Sequence, residues 1–137
     1  MAYELHPHTA DVAVEAGGPT LGAAFAAAAD GMAACQADGE LPAGGDRFDV
    51  RVTAEDREAL LFDYLDRLIY ERDVRNVLPV DNEATVEATD GGYTLRGSAR
   101  GVALETIAAR EVKAVTYSEM AVERRDDGWR VYVVLDV

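Results

Sequence analysis

The sequence predicts an α+β fold in a single domain, with a mixed or antiparallel β-sheet and two main α-helices packed on one face. Two segments show the helical spacing of apolar residues, later segments alternate apolar and polar residues as strands do, and two Asp/Gly-rich turns join neighbouring strands. A doubly wound α/β fold would place more helices between its strands. The 137 residues are the length of one domain, so we assign residues 1–137 to one unit.

The first half of the chain predicts a short strand followed by a helix. The strand contains Val12 and Val14, after Pro7 interrupts the N-terminal run. Thr20 can cap the helix. Its apolar residues recur at spacings of three and four, the period of one helical face: Leu21, Phe25, Ala28, Met32 and Cys35. Cys35 lies on that apolar face, which favours an inert buried thiol over a nucleophile.

A strand over residues 48–52 precedes the second helix. Thr53 and Asp56 resemble a capping box in which Asp replaces Glu, so we expect the helix to begin after Thr53. A wide apolar stripe predicts its buried face: Leu60, Leu61, Tyr64, Leu65, Leu68 and Ile69. The segments Ala37–Gly45 and Gly101–Arg110 are expected to be loose, and the first is typical of a surface loop.

About five strands are predicted after the second helix. Asp90-Gly91-Gly92 and Asp126-Asp127-Gly128 are hairpin turns, the second joining Met120–Val122 to the last strand. Glu111–Tyr117 is a further strand. Alternation divides the last strand into a core side with Trp129, Val131, Val133 and Leu135, and an opposite side with Arg130, Tyr132 and Asp136.

The charge balance narrows the classes of function. Thirteen basic residues against twenty-six acidic ones give a net charge of −13, so a broad nucleic-acid-binding surface is not expected. All basic residues but Lys113 are arginine, and this excess of acidic residues indicates adaptation to high salt, the alternative being an ordinary acidic domain. No apolar run could span a membrane, no basic leader precedes an apolar block, and the lone cysteine cannot form an internal disulfide. We therefore expect a cytoplasmic protein.

Three places could support chemistry. In His6-Pro7-His8-Thr9-Ala10-Asp11, two histidines and an aspartate could ligate a transition metal, or the segment could be a loop with local hydrogen bonds. Asp136 adjoins the α-carboxylate of Val137, and a hard cation would relieve their repulsion, unless both lie in water. Lys113 could reach a phosphate or a carboxylate, or it could be a surface lysine that survived by chance.

These segments together resemble the archease family. His8-Thr9-Ala10-Asp11 is similar to its opening motif, Glu111–Tyr117 to its second signature, and Trp129–Val137 to its closing strand. The resemblance spans essentially the whole chain. Members commonly have His after the Thr-Tyr pair, where this chain has Ser118, and the lead-in at His6-Pro7 also differs from the usual acidic-aromatic one.

Archeases assist the RtcB-type RNA ligase, which joins tRNA halves with the use of GTP and a metal. The resemblance therefore implies an accessory activator, without chemistry of its own, that promotes guanylylation and multiple turnover of the ligase. It also implies a divalent cation site, usually described as calcium, formed by Asp11, Asp136 and Val137; magnesium and manganese suit the same oxygens. We expect His8, Lys113 and Tyr117 to contact the partner or phosphate.

Two other functions remain open at this point. A chaperone-like modulator of nucleic-acid-modifying enzymes would stabilise several clients. A metal-dependent phosphohydrolase would release phosphate from its substrate without a partner protein. The chain, however, lacks a dense set of ligands for two metals.

Overall fold

The structure, a computed structural model, describes residues 3–8, 11–37, 41–106 and 111–137. The predicted α+β class is confirmed. The described residues form seven strands and two α-helices: β1 (Tyr3–His8), β2 (Asp11–Gly18), α1 (Leu21–Gln36), β3 (Arg47–Ala54), α2 (Arg57–Arg75), β4 (Val77–Thr89), β5 (Gly92–Ala103), β6 (Ala114–Arg125) and β7 (Gly128–Asp136).

The strands divide into two sheets rather than one. Strands β1-β2-β7-β6 form the terminal sheet, and strands β3-β5-β4 form the central sheet. All described pairings are antiparallel. The division arises because each predicted hairpin pairs with a different earlier strand. The β4–β5 hairpin pairs with β3, and the β6–β7 hairpin pairs with β2.

Each helix packs against both sheets. Helix α1 packs on β2 and on β4, and α2 packs on β3 and on β6, so the main apolar core lies between the helices and the sheets. Two positions of α1 are occupied by glycine because the helix backbone lies very close to neighbouring strands there. A Cβ atom at Gly22 would lie 2.4 Å from the carbonyl oxygen of Ala84, and one at Gly31 would lie 2.6 Å from Val14 Cγ1. Larger residues there would push α1 away from β4 and β2.

The sequence predicts the N-cap residue of α1 correctly and that of α2 wrongly. Thr20 caps α1 as expected, because its Oγ1 accepts a hydrogen bond from the backbone N–H of Ala23 at 3.0 Å. The capping box at the start of α2 is wrong, since Thr53 is still part of β3. Asp56 is the cap instead, and its Oδ1 accepts from the N–H of Ala59 at 2.7 Å.

Two strand predictions also need correction. Pro7 does not end the N-terminal run, since β1 continues through it to His8; β1 is an edge strand, where proline is tolerated. The strands predicted at Glu111–Tyr117 and Met120–Val122 form one strand, β6, which begins at Ala114, so residues 111–113 precede it. A register shift interrupts its pairing between Thr116 and Ala121, where Glu119 has a φ of 57°. Four described strands therefore follow α2, where about five were expected.

The second of the two predicted loose segments begins with regular structure instead. Residues 101–103 belong to β5, and Leu104–Thr106 form a 3₁₀ turn. Residues 41–45 have no regular structure, as expected, whereas residues 38–40 and 107–110 lie outside the described part of the chain. Cys35 is buried in the core, as its position on the apolar face predicts. No helix in the described ranges is long and apolar enough to cross a membrane.

Candidate functional site

The ends of the described chain meet in one row across the terminal sheet. Asp11 is the register partner of Asp136 between β2 and β7. On one side, His8 is the partner of Asp11, and on the other side Ala114 is the partner of Asp136. The three segments that resemble archease signatures therefore converge at the same end of one sheet. Thr9 and Ala10, which lie between His8 and Asp11, are outside the described residues.

Strand alternation fixes which face the two aspartates occupy. Val12 and Leu135, their neighbours along the chain, are buried in the main core beneath the sheet. Asp11 and Asp136 therefore lie on the opposite, outer face, and both are half-buried. Directly opposed residues on neighbouring antiparallel strands have Cβ atoms about 4.5–5.5 Å apart, and like charges at such positions destabilise the pair. A cation on this face would reverse that repulsion.

Backbone contacts hold the end of β7 in place. The N–H of Lys113 donates a hydrogen bond to the carbonyl oxygen of Asp136 at 2.7 Å. The preceding residue, Val112, is fully buried, and its carbonyl accepts from Arg72 Nη1 at 2.8 Å. The same Nη1 donates to Gln36 Oε1 at 2.6 Å. The end of α1, the end of α2 and the segment before β6 are thus tied together beside the aspartates.

Lys113 and Tyr117, the other predicted contact residues, are both exposed, and Tyr117 lies apart from the aspartates. The ring of Tyr117 stacks on Phe62 of α2, with centroids 4.3 Å apart and planes 7° from parallel. Tyr117 therefore lies on the helix side of the terminal sheet, opposite the outer face. Partial desolvation, followed by the negative charges of Asp63 and Asp56, raises the pKa of its hydroxyl, which stays neutral.

A second polar cluster lies on the outer face, farther along β1 and β2. Glu4 is the register partner of Glu15, and His6 Nε2 lies 3.5 Å from Glu4 Oε2 and 3.3 Å from Glu15 Oε1. Arg130 Nε donates to the other oxygen of Glu15. That hydrogen bond, which outweighs partial desolvation, lowers the pKa of Glu15. Sequence reasoning singled out His6 but missed the glutamates, because only the pairing of β1 with β2 brings them to it.

A shallow concavity elsewhere does not coincide with the predicted site. It has a volume of about 640 Å³ and lies against the central sheet. None of the predicted site residues lines it. Its walls have both signs of charge, so it offers no uniform surface for a charged ligand: Asp49, Arg51, Arg67, Glu83 and Arg96.

The chain is similar to known proteins along its whole length. A family model described as the Archease protein family (MTH1598/TM1083) matches residues 3–137. The "Protein archease" of Pyrococcus furiosus is 34% identical over 139 residues, covering 98% of both chains. The protein of the same name from Methanothermobacter thermautotrophicus is 32% identical over 137 residues, again covering 98% of each.

Two solved structures share the fold. The solution structure of protein 1598 from Methanobacterium thermoautotrophicum has a TM-score of 0.86 at 31% identity, covering 99% of both chains. The crystal structure of an archease from Thermotoga maritima, described as a possible chaperone, has a TM-score of 0.66. At 21% identity, over 98% of this chain and 96% of that one, the second likeness concerns the fold alone. The match to the family model and the identity to its members establish that the chain belongs to the archease family.

Proposed function

We propose that this protein activates an RtcB-type tRNA-splicing RNA ligase by promoting guanylylation of the ligase, so that the ligase turns over many times. Membership of an accessory protein family supports a role through a partner protein. The observation that carries the proposal further is the register between Asp11 and Asp136, which brings two carboxylates together on the outer face of the terminal sheet.

The proposed site is a divalent cation site with oxygen ligands. Asp11 and Asp136 would supply side-chain carboxylates, and Val137 would supply its α-carboxylate if it ends the chain. Carboxylate oxygens suit calcium, with magnesium and manganese as alternatives. Because the aspartates belong to paired strands, the sheet holds their backbones in place before any cation arrives.

The residues of this chain would act by position rather than by covalent chemistry. Guanylylation of the ligase releases pyrophosphate from GTP, so negative charge develops on phosphate oxygens. A bound cation would supply positive charge at that point. Asp11 and Asp136 would orient it, and the exposed ammonium of Lys113 would contact a phosphate or a ligase carboxylate.

The surface around the aspartates would meet the ligase rather than RNA. His8 extends the row of Asp11 and Asp136 to the edge strand β1, and Tyr117 presents a ring that is 54% exposed on the other face of β6. A net charge of −13 disfavours a broad contact with the phosphate backbone of tRNA. A protein surface with basic groups around its nucleotide site would complement this end of the sheet.

The direct test is RNA ligation by the ligase from the same cell, followed past one turnover with and without this protein. We expect more than one product per ligase only when the protein is present. Asp11→Asn and Asp136→Asn should abolish this stimulation. Asp127→Asn, which makes the same charge change in the β6–β7 turn at the far end of β7, should leave it intact.

Two outcomes would contradict the proposal. Unstimulated turnover with the wild-type protein would exclude ligase activation, and full stimulation by Asp11→Asn would exclude the carboxylate site from it. The description of the Thermotoga maritima structure as a possible chaperone keeps a chaperone-like modulator as the alternative. That role predicts protection of unrelated enzymes from aggregation, whereas ligase activation predicts none. Phosphate release by the purified protein would instead indicate a phosphohydrolase.

A further inference from the structure

The second polar cluster on the outer face has the composition of a metal site. We propose that Glu4, His6 and Glu15 bind a borderline divalent cation of the Zn²⁺ class, separately from the site of Asp11 and Asp136. Each residue offers one ligand atom, and the three atoms lie within 4.8 Å of one another. Imidazole nitrogen together with carboxylate oxygen is a donor set that zinc accepts, with water completing the tetrahedron.

Strand pairing fixes the three ligands relative to one another. Glu4 and His6 are two residues apart on β1, so they point to the same face, and Glu15 is the register partner of Glu4 on β2. The site therefore depends on one strand pair and needs no loop to close over it. Directly opposed glutamates repel each other, and a cation between them would turn that repulsion into attraction.

Arg130 orients the third ligand. Its Nε donates to Glu15 Oε2, and its Nη1 donates to Glu123 Oε1 at 2.9 Å, so the guanidinium is held from two sides. The other oxygen of Glu15, Oε1, is left facing His6 Nε2 at 3.3 Å. Residues around a metal site commonly position a carboxylate ligand in this way. They donate a hydrogen bond to one of its oxygens, and the other oxygen then faces the metal.

The local charge also favours a cation. Glu4 lies beside His6, Glu15 and Glu123 pair with Arg130, and Glu123 also pairs with Arg125, so three carboxylates face two guanidinium groups. The side chains of Glu4, His6 and Glu15 are 72%, 42% and 31% exposed, so an ion could enter directly from solvent.

The experiment is a Zn²⁺ titration at about pH 8, because a histidine must be deprotonated to bind a metal. The sequence contains two histidines, so the imidazole nitrogens can be assigned directly by ¹H–¹⁵N NMR. We expect a shift of His6 Nε2 that saturates with Zn²⁺. We also expect affinity to fall by at least about ten-fold in His6→Gln and in Glu15→Gln.

Three controls separate this site from its alternatives. Glu123→Gln makes the same charge change as Glu15→Gln without removing a ligand, so it should bind Zn²⁺ nearly as the wild type does. Glu4→Gln alters a side chain mostly in water, so its loss of Zn²⁺ affinity could not be ascribed to unfolding. Asp11→Asn should keep Zn²⁺ binding, so that a failure of the ligase proposal leaves this one testable.

The opposite results would overturn the proposal. An unchanged His6 Nε2 signal at saturating Zn²⁺ would place the metal elsewhere. Equal losses in Glu123→Gln and Glu15→Gln would reduce the effect to general surface charge. Loss of Zn²⁺ binding in Asp11→Asn, with retention in His6→Gln, would assign the ion to the row of Asp11 and Asp136.

Discussion

The backbone N–H of Lys113 donates a 2.7 Å hydrogen bond to the carbonyl oxygen of Asp136, which joins the segment before β6 to the last residue of β7. Asp136 is thereby held on both sides, since β2 pairs with it through Asp11. Arg72 of α2 fixes the segment that contains Lys113, because its Nη1 donates a hydrogen bond to the carbonyl oxygen of Val112. A buried arginine on α2 therefore supports the geometry of the half-buried row of Asp11 and Asp136.

We expect Arg72→Met to lower the free energy of unfolding by about 2–3 kcal/mol, because two buried acceptors would lose their donor. These acceptors are Gln36 Oε1 and the carbonyl of Val112. Arg96→Met is the matched control, since Arg96 forms an exposed pair with Glu87 and should change stability by no more than about 0.5 kcal/mol. Urea denaturation measures both, and equal effects of the two changes would show that Arg72 has no supporting role.

Lys113→Ala should reduce stimulation of the ligase while leaving stability within about 0.5 kcal/mol of the wild type. The hydrogen bond to Asp136 comes from the backbone, so an alanine preserves it, and the lost side chain is exposed. Lys113→Arg keeps the positive charge but replaces a compact ammonium with a larger, planar guanidinium group. We therefore expect this variant to stimulate the ligase only partially. Full stimulation by Lys113→Ala would remove this side chain from the contact with the ligase.

Asp30 predicts a specific pH dependence of stability. Its Oδ1 accepts from the backbone N–H of Asn82 at 3.0 Å and from Asn82 Nδ2 at 2.9 Å. Burial raises the pKa of Asp30, and these hydrogen bonds only partly oppose it. The folded state therefore binds more protons than the unfolded state between the ordinary aspartate pKa of about 3.9 and the raised value. Across that window the contribution of Asp30 to stability falls as pH rises.

Asp30→Asn keeps an oxygen acceptor for Asn82 and removes the buried charge. The stability of this variant relative to the wild type should therefore increase from about pH 3.5 to pH 7. Urea denaturation of both chains at the two pH values, in the same high salt, measures the difference. A difference that is constant or shrinks with rising pH would show that Asp30 does not titrate in this way.

Salt should stabilise the protein. The net charge of −13 creates self-repulsion, which is screened over about 10 Å at 0.1 M salt and about 3 Å at 1 M. We expect the free energy of unfolding to rise between 0.1 M and 2 M KCl. A chain with Asp90, Asp126 and Asp127 changed to Asn should show a shallower rise. Salt-independent unfolding of the wild type would argue against adaptation to high salt.

Local sequence patterns predicted the helices well because each pattern is decided within one turn or one face. Thr20 caps α1 from three residues away, and the alternation of Val131, Val133 and Leu135 places them in the core as expected. The errors came where tertiary context decides. Pro7 fits into β1 because that strand is at an edge, and β6 continues past the irregular backbone at Glu119 because β7 pairs with both halves.

Only part of the candidate site could be predicted from the sequence. If Val137 ends the chain, its α-carboxylate adjoins Asp136, and their repulsion could be inferred from these two residues alone. The meeting of Asp11 with Asp136 requires β2 and β7 to be neighbours, and alternation along a strand does not specify its partner. The grouping of Glu4 with Glu15 is hidden for the same reason, since it depends on the pairing of β1 with β2.

A calcium titration tests most directly whether Asp11 and Asp136 share a cation. We expect the wild-type chain to bind one Ca²⁺, and Asp11→Asn and Asp136→Asn each to bind it at least about ten-fold more weakly, since each removes a charged ligand. If Val137 ends the chain, residues added after it should weaken binding too, whereas Asp127→Asn and His6→Gln should bind as the wild type does. Wild-type Ca²⁺ affinity in Asp11→Asn would show instead that Asp11 and Asp136 share no ion.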